Sequence, residues 1–272
     1  MKSVKFRTEE LLDLFFQNEI KNYERFDFLY NKKRYSFLLN KIIEQIGEKS
    51  EKKIKILDVG GGLLYLSSIL SLVGIQITAI DTEKGFSTSN TTGSKTEINL
   101  QTRRKKFKIN QIFIDVQEEK LPFKNNYFDY VIFTEVLEHF WLSPVFSLQE
   151  IYRVLKKDGI MFLTTPSTAY LGNRIKLAFL GKTIQTDISR YINENYFPSF
   201  HHKEYTKDEL FRLLKHIGFD FLSFGYIDFY QKIYNPVFLG KVLRENILLK
   251  LLSIFTFFIP SLGQSIYVEA KK

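Results

Sequence analysis

Cysteine is absent from all 272 residues, which excludes disulfides, thiolate metal sites and cysteine nucleophiles and fits a reducing compartment. A secretory leader is not visible either. The start, MKSVKFRTEELLDLFF, has acids inside its apolar part and no small-residue cleavage site, so the cytoplasm is the expected compartment. No apolar run reaches the about 20 residues that a bilayer takes. The nearest, Ile247–Ile259 (ILLKLLSIFTFFI), reads as a buried or dimer-forming helix, or as an interfacial helix that docks on a membrane or a lipid-linked acceptor. Internal repeats are missing, and no linker divides the chain. What is there, 44% hydrophobic and 25% charged residues, suffices for the core of one large domain. The formal charge of +9 points to an acidic partner such as nucleic acid, a phosphorylated carrier or an anionic membrane face, or only to lysines that keep the chain in solution.

The chain is organised around Ile54–Gly62, with KILDVGGG at its heart. An apolar, β-branched run that ends in an acid and three glycines reads as a buried parallel strand stopping at a tight turn and feeding a helix. Bare backbone there lets a nucleoside or a pyrophosphate approach closely. The spacing disfavours a dinucleotide, because G-x-G-x-x-G counted from Gly60 meets Tyr65 where the third glycine should stand. The pattern that is met is acid-x-G-x-G, at Asp58, Gly60 and Gly62.

That pattern resembles motif I of the class I S-adenosylmethionine-dependent methyltransferases, of the type 11/12-like kind, and the following stretches resemble the family in the same order. Ile75–Ile80 reads as a second strand with Asp81 at its end, where ribose hydroxyls need an acceptor, or where an aspartate merely forms a turn. Ile109–Ile114 reads as a third strand, and the resemblance gives Asp115 and Val116 the adenine-reading position. Tyr130–Phe133 is the fourth strand and Ile160–Thr165 the fifth, after helix Phe146–Leu155 and the turn KKDG. Phe219–Ile227 and Gln264–Ala270 are the sixth and seventh. The fold implied by the resemblance is α/β: a Rossmann-like seven-stranded sheet in the order 3-2-1-4-5-7-6, last strand antiparallel, with helices on both faces. It makes residues 1–272 one domain, with an N-terminal helical lid at 9–47 and a substrate cap from 169–200 plus 228–262. Asn31–Arg34 (NKKR) puts three cations at the start of a helix that Gly47 caps, and the polar stretch 82–106 reads as a flap or disordered connection with a short helix over Glu97–Gln101.

The densest chemistry is Thr134–His139, TEVLEH. Glu135, Glu138 and His139 fall at i, i+3 and i+4, one face of a helical turn at the end of a central strand. Three readings stay open. In one, Glu135 or Glu138 lines the cofactor pocket and His139 is a general base, since imidazole titrates near neutral pH. In another, Glu135, Glu138 and His139, with His201 or His202 as the further ligand, bind a divalent ion, as the similar E-x-x-E-H of small-RNA 2′-O-methyltransferases implies. In the third, the polar groups only brace the loop. A second base candidate is His202, in HHKEYTKDELFRLL, where Thr206 and Glu209 form a capping box.

The resemblance implies S-adenosyl-L-methionine as cofactor, held by Asp58, Gly60, Gly62, Asp81, Asp115, Val116 and Glu135, with His139 and His202 as catalytic candidates and no metal. The expected activity is methyl transfer to a small or lipid-linked acceptor, such as a sugar, a glycan intermediate or a quinone-like hydroxyl. Nucleic acid is a disfavoured partner, since no aromatic and basic single-strand platform is visible. The rivals are an NAD-type oxidoreductase and a non-catalytic binding protein on the methyltransferase fold.

Overall fold

The computed structural model describes residues 8–47, 54–82, 92–181, 201–227 and 259–272. Its centre is a seven-stranded sheet in the order β3-β2-β1-β4-β5-β7-β6. The strands are β1 (Lys55–Val59), β2 (Gln76–Asp81), β3 (Asn110–Phe113), β4 (Phe128–Thr134), β5 (Leu155–Pro166), β6 (Asp220–Ile227) and β7 (Ser265–Lys271). The pairs β1–β2, β2–β3, β1–β4 and β4–β5 are parallel, while β7 runs antiparallel to both β5 and β6. The expected topology is therefore the observed one.

Alternation along the strands sends side chains to two cores. Ile56, Ile132 and Phe162 face α1 (Thr8–Glu19), α2 (Arg25–Ile46) and α3 (Tyr65–Leu72). Leu57, Phe133 and Leu163 face α5 (Val145–Val154) and α7 (Lys207–Ile217). Since successive β residues point to opposite faces, a strand buried on both sides has to be apolar throughout, as YVIF is. α4 (Thr92–Lys106) adds Leu100 to the first core, Phe107 just past its end joins it, and α6 (Leu171–Leu180) follows β5.

Four sequence expectations are corrected here. NKKR does not start a helix: α2 begins at Arg25, so these cations sit mid-helix and the dipole argument against them lapses. The polar stretch carries a full helix, α4, rather than a short piece over Glu97–Gln101. The KKDG segment belongs to β5, which pairs Leu155 with Phe128 before a register shift and has Asp158 at φ 63°. TEVLEH is not a helical turn from its first acid, because Glu135 stands at φ 55° and only Leu137–His139 forms a 3-10 turn. The Gly47 cap is present, with its N–H on the Ile43 carbonyl at 2.9 Å. Much of the expected cap, residues 182–200 and 228–258, and with it nearly all of 247–259, lies outside the described residues.

Candidate active site

Parallel pairing sets the site. Because Val59 pairs with Ile80 and with Phe133, and Asp81 with Phe113, the ends of β3, β2, β1 and β4 share one edge of the sheet. The residues that end or follow those strands, among them Gly60, Asp81, Asp115 and Glu135, are brought to that edge, where ligands bind in open parallel sheets.

The glycine turn is pinned by its own amides. Gly60 N and Gly61 N both donate to the Ile80 carbonyl, at 2.8 and 3.2 Å, Gly62 N donates to Asp81 Oδ2 at 2.8 Å, and Leu64 N to the Gly61 carbonyl at 2.9 Å. Gly60 and Gly62 have φ of 73° and 51°, and a Cβ on Gly60 would also collide with Val136 Cγ2, so glycine is required there twice over. With these amides committed, none of the three glycines keeps an N–H for a pyrophosphate, which binds through free N–H groups. A nucleoside, which needs acceptors and bare backbone, suits it. Asp81 also accepts from Thr82 N at 2.8 Å, and burial raises its carboxyl against the lowering by these two amides.

Asp58 is 4% exposed, and its Oδ2 accepts from Ser67 Oγ at 2.5 Å. Burial lifts its pKa to about 6; the Ser67 bond opposes this and the nearby Asp81 charge adds to it. Asp115 closes a turn, with Oδ1 accepting from Gln117 N at 2.9 Å and its carbonyl from Glu119 N at 2.8 Å. The buried Val116 offers its carbonyl to Ser147 Oγ at 2.7 Å.

Beyond β4 the chain turns sharply. Glu135 holds its left-handed conformation through N–H donation to the Thr164 carbonyl at 2.9 Å and an ion pair with Arg34 Nη1 at 2.9 Å. Arg34 comes from α2; burial would lower its pKa, but the Glu135 charge and other neighbours leave it raised. This residue was passed over in the sequence, where NKKR read as three equivalent cations, and only the mid-helix phase of α2 singles it out. Glu138 is fully buried, with Oε2 accepting from Thr165 Oγ1 at 3.0 Å and Oε1 lacking a hydrogen-bond partner. Burial, with the Glu135 charge adding to it, pushes the Glu138 carboxyl well above the usual range.

The histidines converge from far apart in the chain. The rings of His139 and His201 lie 5.1 Å apart, edge to face, and Glu138, His139 and His201 can offer ligand atoms all within 4.8 Å of one another. Glu135 is not in that group and turns to Arg34 instead. His201 Nδ1 is 2.9 Å from Glu204 Oε1, a partner the sequence did not reveal. His202 is tied to the same loop through its backbone, whose N–H donates to the Glu138 carbonyl at 2.7 Å.

A family model described as a methyltransferase domain matches residues 30–223. The chain belongs to this family. Its members of this class use S-adenosyl-L-methionine, and the acceptor-rich, amide-poor turn fits that cofactor. A ubiquinone biosynthesis O-methyltransferase of Pelagibacter ubique (strain HTCC1062) is 28% identical over 144 residues, 50% of this chain and 53% of that protein, so the chain spans about half the length of the curated relative it matches. Solved structures share the fold. An S-adenosylmethionine-dependent methyltransferase from Mesorhizobium loti superposes with a TM-score of 0.54 at 13% identity, covering 87% of this chain and 97% of that one. A Haemonchus contortus phosphoethanolamine N-methyltransferase 2 in complex with S-adenosyl-L-methionine does so at 0.52 and 15%, covering 96% of this chain and 60% of that one. Among the described residues, no helix of this methyltransferase-family chain is long and apolar enough to cross a membrane.

Proposed function

We propose that the chain transfers the methyl group of S-adenosylmethionine to a hydroxyl of a small or lipid-linked acceptor. The observation that carries the cofactor half is the glycine turn whose amides are spent on Ile80 and Asp81, beside strand-end carboxylates at positions 58, 81 and 115. Asp81 and the turn take the ribose side, and Asp115 with Val116 the adenine. Arg34 and Glu135, already paired, offer a cation and an anion for the carboxylate and ammonium of the amino-acid portion. When bound, the cofactor supplies a methyl group on a sulfonium, an electrophile that needs no activation by the protein.

What the chain must do is position the acceptor, with its oxygen about 3–3.5 Å from the reacting carbon and its lone pair aligned. His139 is the proton acceptor for the hydroxyl: it is part-exposed, beyond the end of β4, with Nε2 3.9 Å from the buried Glu138 Oε1. The hydroxyl acceptor is favoured by the O-methyltransferase relative.

Incubation with S-adenosylmethionine and a catechol should give an O-methylated product by mass spectrometry. His139→Ala should lower kcat by about 10²–10⁴-fold, as loss of a general base does. Transfer to primary amines with none to hydroxyls would refute the acceptor class.

A second reading is favoured by the orphaned Glu138 Oε1 within the Glu138, His139 and His201 cluster. These residues would hold a divalent cation, which would bind the acceptor oxygen and ease its deprotonation. In that case calorimetry should detect Mg²⁺, Mn²⁺ or Zn²⁺ binding that Glu138→Gln abolishes, and activity lost to a chelator should return with the ion.

A further inference from the structure

A buried ion pair in the described chain lies outside the carboxylate and histidine groups above. Arg103, from the basic end of α4, is 1% exposed, and Glu24, from the 3-10 turn Asn22–Glu24 that joins α1 to α2, is 3% exposed. They form a two-pronged pair, Nη1 to Oε1 at 2.7 Å and Nη2 to Oε2 at 2.8 Å. The same guanidinium donates to the Leu63 carbonyl at 3.0 Å and to the Glu19 carbonyl at 3.1 Å, and its carbon sits 4.8 Å from the Tyr65 ring centroid. Glu24 in turn accepts from Asn99 Nδ2 at 2.7 Å and Lys21 N at 3.0 Å. One side chain thus joins α4, the connection between α1 and α2, the exit of the glycine turn and the first residue of α3.

Stability alone gives little reason for such a pair, since well-packed apolar residues commonly replace a buried ion pair at no loss. Its distinctive contact is Leu63. That carbonyl belongs to the peptide leading into Leu64, which stands at φ 58° just before α3. Fixing the peptide plane fixes how the turn delivers Gly60–Gly62 to the ligand.

We propose that Arg103 is a positioning residue for the cofactor: it locks the exit of the glycine turn to the N-terminal helical segment, so that cofactor affinity depends on that segment being docked. Moving the segment takes Glu24 and the Glu19 carbonyl away and leaves a buried guanidinium without its counterion, so turn and segment hold or shift together. By reciprocity, cofactor on the turn tightens the segment. The inference rests on the reading that the glycine turn holds the cofactor.

The test measures S-adenosylhomocysteine affinity by calorimetry, with melting temperatures, for the wild type, Arg103→Met, Arg103→Lys, Glu24→Gln and the control Asp81→Asn. At a temperature where all are folded, Arg103→Met and Glu24→Gln should bind at least tenfold more weakly. Arg103→Lys, which keeps the charge but not the fork, should recover melting temperature more than affinity. Hydrogen exchange on the wild type should show S-adenosylhomocysteine slowing the amides of residues 19–24, a readout that needs no variant to fold. Wild-type affinity in Arg103→Met while Asp81→Asn is weakened overturns the proposal, as does exchange at 19–24 that ignores the ligand, or parallel recovery of stability and affinity in Arg103→Lys. Unchanged affinity in Asp81→Asn as well removes the cofactor reading of the turn, and the proposal with it.

Discussion

Asp58, next to last in a buried strand, is a carboxyl whose ionisation the fold opposes. In the unfolded chain an aspartate titrates near about 3.9, whereas burial places this one at about 6 when folded. Between those values the folded protein binds more protons than the unfolded one, so the stability linked to this group is greatest at low pH and falls as pH rises through the window. A shift of that size corresponds to roughly 2–3 kcal/mol. Asp58→Asn, which keeps an acceptor for Ser67, should therefore be more stable than the wild type at pH 7.5 by up to about that amount, with the gap closing towards pH 4. Urea melts across pH would show it; a gap that widens on acidification would contradict it. If Asp58 serves the ligand, the same variant should bind S-adenosylhomocysteine more weakly, stability gained at the expense of a strained site. Spacing made Asp58 legible as a strand-end acid, but not its Ser67 partner, since nothing in KILDVGGG says which serine of the following helix faces back.

Single elements were legible where an apolar stripe or a cap marks them. α7 is the clearest case: Thr206 Oγ1 accepts from Glu209 N at 3.3 Å, and the Glu209 carboxylate accepts from Thr206 N at 2.9 Å, the reciprocal box that T-x-x-E predicts. Thr206→Ala should cost about 1 kcal/mol in denaturant unfolding, with turnover per folded molecule unchanged if the box only starts the helix. A fall in kcat out of proportion to stability would mean that α7 also holds the preceding His201 and His202 in place. α4 was hidden for a physical reason. Its inward face includes Asn99 and Arg103 beside Leu100, so hydrophobic periodicity, which counts an arginine as outward, has little to register. The start of α2 was hidden in the opposite way. Phe26, Leu29 and Tyr30 are exposed while Phe28 is buried, and that mixture blurs the stripe over RFDFLYN.

The whole molecule was readable in outline because parallel strands bring their ends to one edge, so the order of glycine turn, Asp81, Asp115 and EVLEH was enough to imply a single site. The histidine side was only partly readable: His201 could be named beside His139 as a candidate ligand, but neither the edge-to-face contact of their rings nor the Glu204 partner shows in any local pattern, because the two meet across a long stretch of intervening chain. That asymmetry decides which ligand should stabilise the fold. A ligand that binds only the folded state at 100 times its Kd adds about 2.7 kcal/mol, and for a chain of this size each kcal/mol raises Tm by about 2–4 °C. S-adenosylhomocysteine at that excess should therefore raise Tm by roughly 5–11 °C. NAD should leave it unchanged at the same concentration, because its pyrophosphate needs amides that Gly60, Gly61 and Gly62 have already given to Ile80 and Asp81. Scanning calorimetry with each ligand separates the two classes. An equal rise with NAD would mean that the turn can release those amides, and the adenosyl sulfonium reading of the site would lose its main support.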